Sequence, residues 1–230
     1  MNLSSNTINI AKYIALICMA IDHTYKILDI TSYEYILYLG RYTFILLSFI
    51  LVYNYMHNTK NKNLYINRLL LFAAISQPIY VYCFEHIYLN IFFTLAAGLM
   101  IINFSESNLI KKYNRENEVL ILTPIILIPL TQYIEYNSFG LLLTSFTYLA
   151  LKNKELKNIV MTIAIAFLMN FVSGENILDG SILALVGLSS YPLLILINKL
   201  KLNYTVKINK YFAYLFYPVH LLIIKLINFM

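Results

Sequence analysis

A chain of 230 residues that is 60% hydrophobic and 12% charged, with a mean hydropathy of +0.69, is not composed like a soluble domain, in which roughly a quarter of residues are charged. Its formal charge of +6 sits in short basic blocks between apolar runs, the pattern of loops beside a membrane, so no nucleic-acid partner is expected. Cys18 and Cys83 form neither a disulfide framework nor a metal-ligand spacing, and they read as buried thiols with no metal site.

A helix needs about 20 residues to cross the hydrocarbon layer, within a range of roughly 17 to 25. In chain order the apolar runs fall near 8–28, 34–55, 68–84, 88–104, 118–134, 137–151, 158–173, 179–198 and 211–229. They predict an all-α integral membrane bundle, one domain over 1–230, with about nine transmembrane helices. The first run carries Asp22 and His23 and follows no basic cluster, so it reads as a retained span rather than a cleaved signal. Stretches such as 125–130 and 141–143 are apolar on every face, unlike the alternating strands of a barrel. The fifth and sixth runs are parted by little more than residues 135–138. Gly is scarce and Pro lies mostly near run ends, apart from Pro78, Pro124 and Pro129; few broken helices are expected. Tyr35, Tyr38, Tyr53, Tyr55, Tyr80, Tyr82, Tyr211 and Tyr214 lie near run ends, the depth amphipathic rings favour.

The connections set the orientation. Lys60, Lys62 and Arg68 occupy one, Lys111, Lys112 and Arg115 the next but one, then Lys152, Lys154 and Lys157, then Lys199, Lys201, Lys207 and Lys210. These hold 13 of the 17 Lys and Arg, while the intervening connections carry Asp29 and Glu34, Glu85, Glu135, and Glu175 with Asp179. Basic loops stay in the cytoplasm, which places the N-terminus inside and the protein in the inner (cytoplasmic) membrane as a multi-pass chain.

Ionisable groups inside such runs cost about 2.5–3.5 kcal/mol on insertion and usually face the bundle interior, often at functional sites. Here they are Asp22, His23, Lys26, Arg41 and His220, with Asn90 as an uncharged companion. At about 1.5 Å per residue, Asp22 and His23 lie roughly 8–9 Å from the outer end of the first span and Arg41 roughly 10 Å below the outer surface. Asn90 begins the fourth span on that side and His220 falls near the middle of the ninth, so the set shares one layer. Asp22 can pair with Lys26 four residues on, or with Arg41, or orient His23. Histidine is the natural general base near neutral pH. Arg68, at the cytoplasmic end of the third span, is either a topological anchor or a phosphate contact. His57 and His86 carry little signal in their loops, and no HExxH, Walker or GxSxG pattern is present.

The segments MAIDHTYKIL (19–28), LGRYTF (39–44), YINRLLLFAAISQPIY (65–80), LNIFFTLAAGL (89–99), FGLLL (139–143) and FYPVHLLII (216–224), in this order, resemble the TraX family of F-pilin acetylase-like membrane proteins. The resemblance implies a transmembrane acetyltransferase with acetyl-CoA as donor and an amine acceptor, the pilin N-terminus or another exported substrate, beyond the membrane. By position it implies that Asp22, His23, Arg41, Asn90 and His220 are catalytic and that Arg68 binds the donor. Two departures, Tyr42-Thr43-Phe44-Ile45 where the family pattern has a proline and Phe139-Gly140 where it has Tyr-Gly, remove no catalytic group and bear on the acceptor. On the residues alone, proton-coupled transport is the alternative chemistry, and a non-catalytic assembly factor is a third reading.

Overall fold

The computed structural model describes residues 3–30, 34–200 and 206–228. Lys201, and residue 229 at the end of the ninth run, lie outside the described residues. Among those described, all regular structure is helical apart from one isolated bridge between Leu89 and Ile134. Helix α1 (Ser5–Ile27) is followed by a 3-10 helix (Glu34–Gly40) that runs into α2 (Arg41–His57), then α3 (Lys62–Phe84) and α4 (Ile91–Ser105). The short α5 (Asn108–Lys112) precedes α6 (Glu116–Ile126), α7 (Ile128–Thr131), α8 (Asn137–Asn153) and α9 (Leu156–Phe171). The chain continues through α10 (Ile177–Leu188), α11 (Ser190–Leu200) and α12 (Lys210–Ile227).

Six of the helix starts carry a side-chain cap. The side chains of Ser4, Asn61, Asn90, Ser107, Asn176 and Asn209 each accept a backbone N–H from the first turn of α1, α3, α4, α5, α10 and α12, which satisfies one of the donors a helix leaves open. Asn61 therefore starts α3 at Lys62, ahead of the apolar run at 68, because its first turns are polar but still helical. The fifth and sixth runs are separate helices, joined by a turn in which Tyr136 and Asn137 take positive φ of 62° and 46°.

Two runs are broken, against the expectation of continuous helices. Between α6 and α7 the chain turns at Leu127, two residues before Pro129, which has no N–H to give the carbonyl of residue 125. Between α10 and α11 it turns at Ser189, whose Oγ donates to the Val186 carbonyl (2.7 Å) and also meets the Tyr42 hydroxyl. Such a back-bonded serine competes with the helix ladder and bends it.

Three helical segments, Tyr35–His57, Lys62–Phe84 and Ile177–Leu200, are long and apolar enough to cross a membrane, while Ile91–Ser105, Leu156–Phe171 and Tyr211–Ile227 are apolar but shorter. Ile126, Leu130, Leu185, Leu196 and Leu226 are each more than half exposed. That outward apolar surface is what a lipid-facing protein presents.

Inside, α1 packs between α2 and α12, α3 lies against α4 and α12, and α8 touches α2, α4, α6 and α9. A Cβ on Gly98 would stand 2.3 Å from Thr144 Oγ1, so α4 and α8 approach as closely as small residues permit. At one end of α4, Glu106 accepts from the Tyr148 hydroxyl (2.7 Å), the Tyr55 hydroxyl (3.0 Å) and Lys62 Nζ (2.6 Å), tying α2, α3 and α8 together. Burial pushes the Glu106 carboxyl up, but these donors outweigh it and hold the carboxyl below the usual range.

Candidate functional site

The packing of α1 against α12 brings together two histidines 197 residues apart. His23 Nδ1 lies 2.8 Å from His220 Nε2, with the rings nearly parallel. His220 Nδ1 lies 2.7 Å from the Phe216 carbonyl one turn earlier in α12. A carbonyl can only accept, so His220 Nδ1 carries the proton, and neutral His220 offers its Nε2 lone pair to His23. His23 must then donate from Nδ1, which leaves its Nε2 as an unprotonated acceptor. Among the described residues Nε2 has no protein partner. The rings of Phe84 and Tyr217 stand edge-on to His23 at 5.2 and 5.9 Å and hold it in place.

His23 lines a polar cavity of about 240 Å³ together with Asp22, Lys26, Gly40, Tyr80, His86, Glu135, Tyr136 and Tyr217. Asp22 accepts from Lys26 Nζ at 2.7 Å, so the ion pair along α1 is the one that forms. Arg41 makes no ion pair among the described residues, its Nε is buried without a partner, and it lines neither this cavity nor the larger one described below. Gly40 is required by contact: a Cβ there would fall 2.5 Å from Asp22 Oδ1 and 2.8 Å from Asp22 Cβ.

Glu135 reaches this cavity from the connection between α7 and α8. Its backbone N–H bonds to the Leu89 carbonyl, its carbonyl accepts from Thr94 Oγ1 (2.6 Å), and Oε1 accepts from the Tyr80 hydroxyl at 2.8 Å. Burial, opposed by the Tyr80 hydrogen bond and by Lys26, pushes its carboxyl up to about 7. Glu135, Tyr80, Tyr136, Tyr217 and His86 belong to the site, although in the sequence Glu135 reads as a loop carboxylate, Tyr80 as an interfacial ring and His86 as a loop residue with little signal. The only hint available was a lone carboxylate in a very short connection.

Asn90 is placed differently. Its Oδ1 accepts from Phe92 N (3.0 Å), and its Nδ2 donates to the Ala73 carbonyl and to Gln77 Oε1 (both 2.9 Å). The amide oxygen thus caps α4 while both amide protons hold it to α3, and Asn90 does not line the cavity.

A second cavity, of about 480 Å³, opens between α1, α2, α3 and α12. Its wall includes the cations Lys12, Lys60 and Arg68, the cap residues Asn61 and Asn209, and an apolar interior of Leu16, Leu51, Leu69, Phe92 and Leu95. Helix N-termini capped by Asn61 and Asn209 add their backbone polarity to the three cations, a combination that suits an anion. Arg68 lies 5.9 Å over the Tyr211 ring. Lys12, absent from the sequence-based candidates, sits eleven residues before His23, roughly 16 Å along α1. Met19 lines both cavities.

A family model described as TraX protein matches residues 7–228. A probable fimbrial assembly protein, FimC of serogroup H1, from Dichelobacter nodosus is 34% identical over 114 residues, a stretch that covers 43% of this chain and 46% of that relative. The alignment therefore spans just under half of that protein's length. No solved structure matches. Matched along nearly its whole length, the chain belongs to the TraX family.

Proposed function

We propose that the protein is a membrane-embedded acetyltransferase of about nine spans, N-terminus cytoplasmic, in the inner membrane. It transfers acetyl from cytoplasmic acetyl-CoA to an amine on an exported substrate at the outer side, a pilin N-terminus or another acceptor. The observation that carries this reading is the pair of cavities that share Met19 in their walls, one basic and apolar, the other holding His23 with two carboxylates. Family membership and the similarity to a protein named for fimbrial assembly support an exported, pilus-type acceptor.

In this reading Lys12, Lys60 and Arg68 hold the phosphates of acetyl-CoA at the basic end, and the acyl arm follows the apolar wall toward Met19. The acceptor enters from the opposite side as an ammonium and gives its first proton to Asp22, or to Glu135 when that carboxyl is ionised. Its nitrogen then attacks the thioester carbon while His23 Nε2 takes the second proton. Collapse breaks the carbon–sulfur bond, and the departing CoA sulfur recovers that proton from His23. His220 keeps His23 in the tautomer whose Nε2 is free.

The test is CoA release by the full-length protein in lipid nanodiscs, with acetyl-CoA, with and without a peptide carrying a free N-terminus. Acceptor-dependent release is expected. His23→Ala should lose turnover about 100- to 10,000-fold while still binding acetyl-CoA. Arg68→Ala should weaken binding more than the chemical step. Mass spectrometry of exported proteins with and without the gene identifies the acceptor by loss of one acetyl group. Solute flux in proteoliposomes without CoA release would instead mark a transporter and overturn the proposal.

A further inference from the structure

Acyl transfer places negative charge on the thioester oxygen, and a positioned donor must meet it. The donors expected from sequence are unavailable for this: Asn90 has both amide protons engaged, and Arg41 lines neither cavity. Two side chains of the polar cavity have the opposite character, His86 through its Nδ1 and Tyr217 through its hydroxyl, and Tyr217 is the one that packs on Phe92 of the basic cavity. Tyr217 is 1% exposed, its hydroxyl has no hydrogen-bond partner among the described residues, and it lines the polar cavity. Leaving a hydroxyl buried and unpaired costs about 1–3 kcal/mol, so an orphan of this kind in a cavity wall marks the place of a missing acceptor atom.

Its position is specific. Tyr217 stands one turn before His220 on α12, and its ring lies 5.9 Å from that of His23 and 5.0 Å from that of Phe92. Phe92 lines the basic cavity and His23 the polar one. Tyr217 therefore lines the polar cavity while packing on a residue of the basic one, so an acyl group delivered from one cavity to a nucleophile held in the other would pass close to it. Of the other hydroxyls in that wall, Tyr80 already donates to Glu135 at 2.8 Å and Thr43 to the Ala15 carbonyl at 3.2 Å.

We propose that the Tyr217 hydroxyl is a catalytic residue, the hydrogen-bond donor to the carbonyl oxygen of the acyl thioester. This rests on the acyl-transfer reading above. As the amine nitrogen forms its bond to the carbonyl carbon, the π pair moves onto oxygen and is held by the Tyr217 O–H, which keeps its proton. His23 Nε2 takes the amine proton, the pair on oxygen returns, the carbon–sulfur bond breaks, and the sulfur leaves with the proton from His23. No other reactant is needed.

Tyr217→Phe removes one oxygen and keeps the ring packing. In the full-length protein, acetyl-CoA binding should be unchanged and turnover about 100- to 1,000-fold lower, the cost typical of one lost oxyanion donor. Independently of turnover, the infrared carbonyl stretch of bound, isotope-labelled acetyl-CoA should lie lower in the wild-type protein than in Tyr217→Phe. Turnover above about a tenth of wild type, or an identical stretch in both proteins, overturns the assignment. Wild-type protein that shows the Tyr217-dependent stretch but acetylates no amine would sink the acyl-transfer reading and leave the donor in place. Wild-type protein that does not bind acetyl-CoA sinks both. Should Tyr217→Phe not fold, a ring-fluorinated tyrosine at 217, with its stronger O–H donor, must lower the stretch further, and no change refutes the assignment.

Discussion

Replacing His220 by Phe probes whether the histidine pair works as inferred. The phenyl ring keeps the aromatic packing with Phe216 (4.8 Å between centroids) but deletes the Nε2 acceptor 2.8 Å from His23 Nδ1. In the reactive tautomer the His23 Nδ1 proton is then stranded in a buried site, at a cost of about 1–3 kcal/mol. The other tautomer avoids that cost but protonates Nε2, which can no longer act as base. A penalty of about 1–3 kcal/mol on the reactive form corresponds to roughly a 5- to 150-fold loss of turnover. That is smaller than the about 100- to 10,000-fold expected for losing the base itself. His220→Phe should therefore fall between wild type and His23→Ala in acceptor-dependent CoA release, with acetyl-CoA affinity unchanged. His220→Gln, whose amide oxygen can accept, should recover part of the loss. If His220→Phe matches wild type, the pair does not control the tautomer. If it falls to the level of His23→Ala, His220 takes part in the chemistry directly and the positioning argument is wrong.

Glu135, with its carboxyl pushed up to about 7 by burial, keeps a proton in the folded protein that the unfolded chain releases near 4.5. Its stabilising contribution is full below about 4.5 and is lost as pH rises through 7, by up to about 3 kcal/mol; Glu135→Gln should flatten this part of the thermal-stability profile, and an unchanged profile refutes the burial argument. Gly40→Ala forces a Cβ to within 2.5 Å of Asp22 Oδ1, an overpacking that typically costs about 1–3 kcal/mol; a melting temperature equal to wild type would mean that α1 and the 3-10 helix yield freely. For topology, cysteines at Asn63, Asn114 and Asn153 should resist impermeant thiol reagents in intact cells while those at Asn137 and Ser173 react, all five positions being exposed; the reverse pattern inverts the orientation.

How much of this could be read from residues alone differs between fold and site. Hydropathy marks each apolar run, because removing a long apolar stretch from water is favourable whatever its neighbours are. The same logic singled out Asp22, His23 and His220, since a charged or titratable side chain in such a run is costly enough to demand a reason. What an apolar run does not encode is which helix faces which. The meeting of His23 with His220, 197 residues away, depends on the packing of α1 against α12, and together with the Phe216 carbonyl on His220 Nδ1 it decides the tautomer. Asn90 read as a polar residue in the same layer, yet geometry makes it a helix cap with no proton to spare. Glu135 read as a loop carboxylate, yet the short turn before α8 folds it back under Tyr80. Tyr217, one of 21 tyrosines, is set apart only by the partner it lacks. Sequence thus determined which segments leave water and which side chains are expensive there, because both are properties of single residues and their neighbours along the chain. Tertiary structure decided which of those side chains share a cavity, because hydrogen bonds and close contacts act between atoms a few ångströms apart in space, however distant they are in sequence.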